Sequence, residues 1–112
     1  MKATIEELDG GITKIVLDGR MDIEGSQAVD LRMNVIAGST SLVLVDMAGV
    51  TFLGSMGLRS IVLPAQAVKR RGGKMVLLAP VPLVEEVLNG ANIGALIPIH
   101  HDLDAALAEL RA

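Results

Sequence analysis

A hydroxyl group between small residues is the most suggestive chemical feature of this chain. Ser55 lies between Gly54 and Gly57 in VTFLGSMGLRSIVLPAQAVKRRGG, residues 50–73, with an apolar run on each side. A serine in such a place can act as a nucleophile, cap a helix, accept a phosphate, or do nothing. The nucleophile elbow of many hydrolases needs a glycine two residues before the serine, and that residue here is Leu53. A base for Ser55 would have to come from His100 or His101, adjacent imidazoles close to Asp102 and Asp104. Those side chains alone do not form a closed ligand set for a metal. Neither the Gly-rich phosphate loop nor the dinucleotide loop occurs, and RRGGK, residues 70–74, has the wrong order for either. Glu6-Glu7 and Glu85-Glu86 read as solvated faces. With no cysteine, thiolate chemistry and disulfides are excluded. A small serine hydrolase is therefore a disfavoured alternative, and no catalytic residue, cofactor or metal is expected.

The elements that would position Ser55 follow from periodicity. Residues 3–8 and 12–17 read as strands joined by Asp9-Gly10-Gly11, an N-terminal hairpin. Residues 26–37 place Ala28, Leu31 and Val35 at helical spacing, with Gly38 as a stop. LVLVD, residues 42–46, is an apolar run ended by an acid, the pattern of a buried parallel strand. A helix is predicted from Ser55 to Arg71, with Leu58, Ile61, Val62, Ala65 and Val68 as its apolar stripe and Pro64 as a kink. Residues 74–78 form the next strand, and Pro80 and Pro82 frame a helix start with Val84, Val87 and Leu88 on one face. Residues 95–99 suggest a short edge strand. Asp102 caps a last helix, residues 103–111, with Leu103, Leu107 and Leu110 inward. The order predicts an α/β fold: a mixed sheet of four to five strands, mostly parallel after the hairpin, with helices mainly on one face.

Composition sets the class. The chain has 112 residues, 51% of them hydrophobic, which suits one domain over residues 1–112 rather than a disordered chain. Phe52 is the one aromatic, so the core must be built from aliphatic residues and methionine. Net charge is -3, which argues against a nucleic-acid partner. The basic group Lys69, Arg70, Arg71 and Lys74 reads as a solvated helix end. Acidic residues occupy the place of a signal peptide's apolar segment, and no run is long and apolar enough for a membrane span. A cytoplasmic location is expected.

Ser55 falls where the strand over 42–46 hands over to the long helix, the end of an α/β sheet where binding groups collect. It suits an N-cap, and Leu58 at the third following position rules out a capping box. The same first-turn amides favour an anion, so a phosphorylated Ser55 is the other reading.

The stretch LVDMAGVTFLGSMGLRSIVLPAQAVKRRGGKMVLL resembles the central part of the STAS domain, and more narrowly the bacterial anti-sigma factor antagonists. Asp46 at the strand end, Phe52, Ser55, Gly57, Leu58 and the downstream RGGKMVLL carry the likeness. Upstream, ITKIVLDGRMDIEGSQAVDLR is similar to the family's second strand and its following turn, with Asp22 as that turn's acid. Gly54 stands where the family usually has Asp, Met56 where it has a second hydroxyl residue, Arg59 where it has glycine, and Ala48 where it has serine. The resemblance implies Ser55 as phosphoacceptor and Asp22, Asp46, Gly54, Met56, Gly57, Arg59 and Leu63 as partner-binding residues. It implies a non-enzymatic partner switch. The unphosphorylated domain binds an anti-sigma factor serine kinase, which frees the sigma factor, and phosphorylation of Ser55 releases that kinase. A serine phosphatase then restores binding. Asp22 and Asp46 are expected at the same end of the sheet as Ser55. A STAS module serving a lipid-transport or other signalling complex is the alternative within the family.

Overall fold

Residues 42–45 and 75–78 are apolar on both alternating sets of positions, so their strands must be covered on two faces. The computed structural model, which describes residues 1–112, meets that demand with one five-stranded sheet. Its strands are β1 (Lys2–Leu8), β2 (Ile12–Met21), β3 (Leu42–Leu53), β4 (Lys74–Leu78) and β5 (Ile99–His100), adjacent in chain order. β1 pairs antiparallel with β2, and every later pairing is parallel. The helices are α1 (Ile23–Ser39), α2 (Ser55–Arg70), α3 (Pro82–Gly90) and α4 (Leu103–Arg111), with a short 3-10 turn at Ile93–Ala95.

On one face Ile15, Leu17, Val43, Val45, Met47, Met75 and Leu77 pack against residues of α1, α2 and α3. On the other, Ile12, Leu44, Val76 and Leu78 meet Ala106 and Leu110 of α4 alone. The sheet is mixed, and its helices lie mainly on one face, as the sequence predicts. α2 runs through Pro64 unbroken. Asp102 caps α4 by accepting a hydrogen bond from the Ala105 amide at 3.0 Å, although Leu103 is exposed rather than inward.

Some boundaries differ from expectation. β2 and β3 run well past Leu17 and Asp46, because parallel pairing resumes beyond two register shifts and continues to Met21 beside Leu53. The last strand begins at Ile99, since residues 93–95 are wound into the 3-10 turn. The predicted inner stripe of α1 is its outer face: Leu31 is 75% exposed and Val35 60%, while Val29, Met33 and Ile36 are buried. That helix is apolar on opposite sides, so periodicity alone could not choose. Its phase is set at the start, where Asp22 caps it and Gly25 lies against the Arg20 carbonyl so closely that a Cβ would overlap the oxygen.

The basic group at the end of α2 is structural in part. Arg71 Nη1 donates to the Ala37 carbonyl at 2.7 Å and the Thr40 carbonyl at 3.2 Å, satisfying the C-terminal end of α1.

Candidate functional site

The ends of β2 and β3 present two helix N-termini side by side. One residue separates each strand from its helix: Asp22 between β2 and α1, and Gly54 between β3 and α2. Gly57 makes the second approach possible: a Cβ there would lie 2.7 Å from the Met21 carbonyl oxygen, the Met21 Cβ and Leu53 Cδ1. The Gly54 amide donates to the same Met21 carbonyl at 3.1 Å, tying the start of α2 to the end of β2.

Ser55 is not the N-cap of α2. Gly54 is, with extended backbone, and the first helical bond runs from the Leu58 amide to the Gly54 carbonyl at 3.0 Å. Ser55 is the first residue inside the helix. It is exposed, and no protein group bonds to it. With no side-chain cap and no acid in the first turn, the amides of Ser55, Met56 and Gly57 have no partner within the helix.

Around Ser55 lies a depression of about 300 Å³ lined by Asp22, Ile23, Phe52, Gly54 and Met56. Ile23 is 61% exposed and Phe52 38%, large apolar groups in solvent beside a free hydroxyl. Asp22 supplies the one charge in the lining. Its Oδ1 accepts from the Gly25 amide at 2.8 Å, and its Oδ2 lies 3.5 Å from Arg20 Nε. The Gly25 hydrogen bond, helped by Arg20, holds the Asp22 carboxyl below the usual carboxylate range, so it is anionic at neutral pH. Arg20 in turn stacks over Phe52, its Cζ 4.5 Å from the ring centroid.

Met56 also borders a second groove, between α1 and α2, together with Arg59 and Leu63. In its wall Ser60 Oγ donates to Asp30 Oδ1 at 2.5 Å, a link between the two helices.

Asp46 is elsewhere. β3 continues for seven residues beyond it, to Leu53, and Asp46 shares the α4 side of the strand with Leu44. Its Oδ1 accepts from the Ala48 amide at 3.0 Å and its Oδ2 lies 3.8 Å from Lys14 Nζ. Of the two acids expected at the same end of the sheet as Ser55, Asp22 lines its depression and Asp46 does not, because the strand does not end where its apolar run ends. Both histidines are engaged away from Ser55: His100 with Glu109 of α4 at 3.2 Å, His101 with Glu85 of α3 at 2.8 Å. Neither histidine therefore serves Ser55 as the base that the hydrolase alternative requires. Arg20 and Ile23 were not singled out from sequence. Their only signal is their place on either side of the α1 cap.

The profile of the STAS domain matches residues 4–106. The chain belongs to the STAS domain family. Among STAS proteins it is similar to BtrV of Bordetella bronchiseptica, assigned as an anti-sigma factor antagonist, at 26% identity over 99% of this chain and 96% of BtrV. A Thermotoga maritima protein with the same assignment superposes with a TM-score of 0.90 at 19% identity, covering 98% of this chain and 95% of that one. SpoIIAA of Bacillus in its phosphorylated form superposes with a TM-score of 0.75 at 16% identity, covering 98% of this chain and 100% of that one. At such identities the structural likenesses establish a shared STAS fold. No helix of this STAS domain is long and apolar enough to cross a membrane.

Proposed function

We propose that this chain is an anti-sigma factor antagonist that works by partner switching, with residues 1–112 acting as one STAS unit in the cytoplasm. Unphosphorylated, it binds an anti-sigma factor serine kinase and frees the sigma factor; phosphorylation of Ser55 ends the complex, and a serine phosphatase resets it. The chain is then a ligand and a substrate, not a catalyst. The observation that carries this reading is the exposed, unbonded Ser55 hydroxyl among Ile23, Phe52 and Met56. The names of BtrV and of the Thermotoga protein, and the existence of a phosphorylated SpoIIAA, support it.

The physics of the switch follows from the surroundings of Ser55. Apolar groups at the patch bind a partner only if water leaves. A phosphoryl group adds about -1.5 to -2 charges at neutral pH. It does so beside the ionised Asp22 carboxylate, so both desolvation and like-charge repulsion oppose docking. The free amides of Ser55, Met56 and Gly57, with the dipole of α2, offset part of that charge within the free domain. Phosphorylation should thus abolish binding without unfolding the chain.

Within this proposal Asp22, Gly54, Met56, Arg59 and Leu63 form the docking surface, and Gly57, which is buried, sets the height of α2 beneath it. Asp46, on the opposite side of the sheet, would contribute at most indirectly. The experiment is a titration of the candidate kinase with three forms of the chain. Wild type and S55A should bind alike, and the phosphorylated form at least tenfold more weakly. Equal affinity of the phosphorylated and unphosphorylated forms would refute the proposal.

A further inference from the structure

The sheet ends at β1 with no strand beside it. β1 pairs with β2 alone, and no backbone–backbone bond outside that hairpin involves residues 2–8. One side chain from the rest of the chain reaches its backbone: Arg32 Nη1 of α1 donates to the Ala3 carbonyl at 2.6 Å. That oxygen keeps a second lone pair. Lys2, Thr4, Ile5, Glu6 and Glu7 are exposed. A free strand edge is a template for a further strand unless its side chains forbid one.

The side chains of β1 select a partner. Ala3 faces the core under α1, so Lys2, Thr4 and Glu6 lie on the opposite face of the strand. There they extend a row of charge that begins further in. Asp46 Oδ2 lies 3.8 Å from Lys14 Nζ, Lys14 stands opposite Glu6, and Asp18 stands opposite Lys2. A second β1 laid antiparallel with Thr4 opposite Thr4 sets Glu6 of each copy against Lys2 of the other. The row then alternates in sign across the seam, from Asp46 through Lys14 and Glu6 to Lys2 and Asp18 of the second copy. Other registers lose this match: with Ile5 opposite Ile5, Lys2 faces Leu8, and with Ala3 opposite Ala3, Lys2 faces Thr4. On the helical face the chosen register sets Ile5 against Ala3. Ile5 is 36% exposed, and Val35, three residues along α1 from Arg32, is 60% exposed, so apolar groups on this side of the chain await cover.

We infer that β1 is a self-association edge, on which a second copy of this chain pairs its own β1 antiparallel about a two-fold axis through Thr4. The two sheets become one, and the same patch serves both copies. Opposite charges directly across paired strands stabilise such a seam, and like charges oppose it. The seam is short, Lys2–Glu6 of each copy, so the dimer is concentration-dependent and weakens in high salt. It goes beyond the partner switch and needs no phosphate on Ser55.

Sedimentation equilibrium across a concentration series tests the inference. Wild type should approach twice the 11.7 kDa of one chain as concentration rises. K2E and E6K each set like charges against one another twice in the dimer, and each alone should weaken association at least tenfold. Mixed together, the two variants should associate as wild type does, because every charge pair across the seam then joins opposite signs. The register has its own readout, since the chain has no cysteine. Opposed Cα atoms of an antiparallel pair lie about 4.5–5.5 Å apart, within the about 4.4–6.8 Å that a disulfide spans. T4C should therefore cross-link under mild oxidation, whereas N89C, exposed on α3, should stay reduced. Wild type that stays monomeric up to about 1 mM would leave the edge to another protein's strand and overturn the inference. So would a mixture of K2E and E6K no more associated than either alone, or T4C cross-linking no faster than N89C.

Discussion

Gly57→Ala is the sharpest probe of how the site is built. A Cβ at position 57 would meet the Met21 carbonyl oxygen, the Met21 Cβ and Leu53 Cδ1 at 2.7 Å. Ordinary contact begins near 3.4 Å. Met21 is fully buried and Leu53 nearly so, and the Met21 carbonyl is held by the Gly54 amide, so none can swing aside cheaply. The first turn of α2 must lift. With three contacts below 3.0 Å, one of them to a backbone oxygen, the cost belongs in the upper part of the overpacking range, about 2–3 kcal/mol, against a helix-propensity gain of about 1 kcal/mol for replacing glycine. A net loss of about 1–2 kcal/mol remains. For a chain of 112 residues the unfolding entropy is about 0.24 kcal/mol/K, so Tm should fall by about 4–8 °C. Gly38→Ala is the control, because nothing lies within 4 Å of its Cβ position in α1. It should raise Tm by about 2–4 °C through the helix backbone alone. Differential scanning calorimetry of both variants decides the matter. A Tm for G57A equal to or above that of wild type would refute the close seating of α2 on the end of β2.

Further outcomes follow from the same contacts. Ser55→Ala should change stability by less than about 0.5 kcal/mol in urea unfolding, since the hydroxyl caps nothing; a larger loss would restore it as a cap. Ser26→Ala should stabilise by about 1 kcal/mol, because its fully buried hydroxyl has no hydrogen-bond partner, and calorimetry should show a raised Tm. Asp22→Ala should lower Tm while Asp22→Asn, which still caps α1, keeps most of it. Because the folded pKa of Asp22 lies below the ordinary 3.8, its ionised form contributes stability above that value and loses it as pH falls through the folded pKa. The gap between wild type and D22N should accordingly close in acid unfolding titrations below that point.

What was legible in the sequence is the part that local chemistry dictates. The Asp-Gly-Gly turn, the apolar runs of β3 and β4, Pro82 at the start of α3 and Asp102 before α4 each act through neighbours in the chain, and each appears in its place. The face of α1 was misread because Leu31 and Val35 are as apolar as Val29 and Met33; the choice is made by Gly25 against the Arg20 carbonyl, a contact between elements. The same holds at the site. Ser55, Gly57 and Asp22 are recognisable from their setting in the chain. Arg20 over Phe52 arises from the bulged pairing of β2 with β3, which leaves no mark in periodicity, and Asp46 lies away from the site because that pairing carries β3 seven residues beyond it. The cap of α2 was misplaced by one residue because glycine and serine both suit that position.

The central claim is that Ser55 is the phosphate acceptor, and phosphate mapping by mass spectrometry tests it most directly. Of its hydroxyl neighbours, Ser60 is buried and donates to Asp30, and Thr51 is exposed with its Oγ1 3.4 Å from the Gly19 carbonyl. Met56 offers no hydroxyl beside it. After incubation with the candidate kinase and ATP, the account predicts a single phosphate on Ser55 of the wild-type protein and none on S55A. Phosphate on Thr51 or Ser60 with Ser55 unmodified would contradict it.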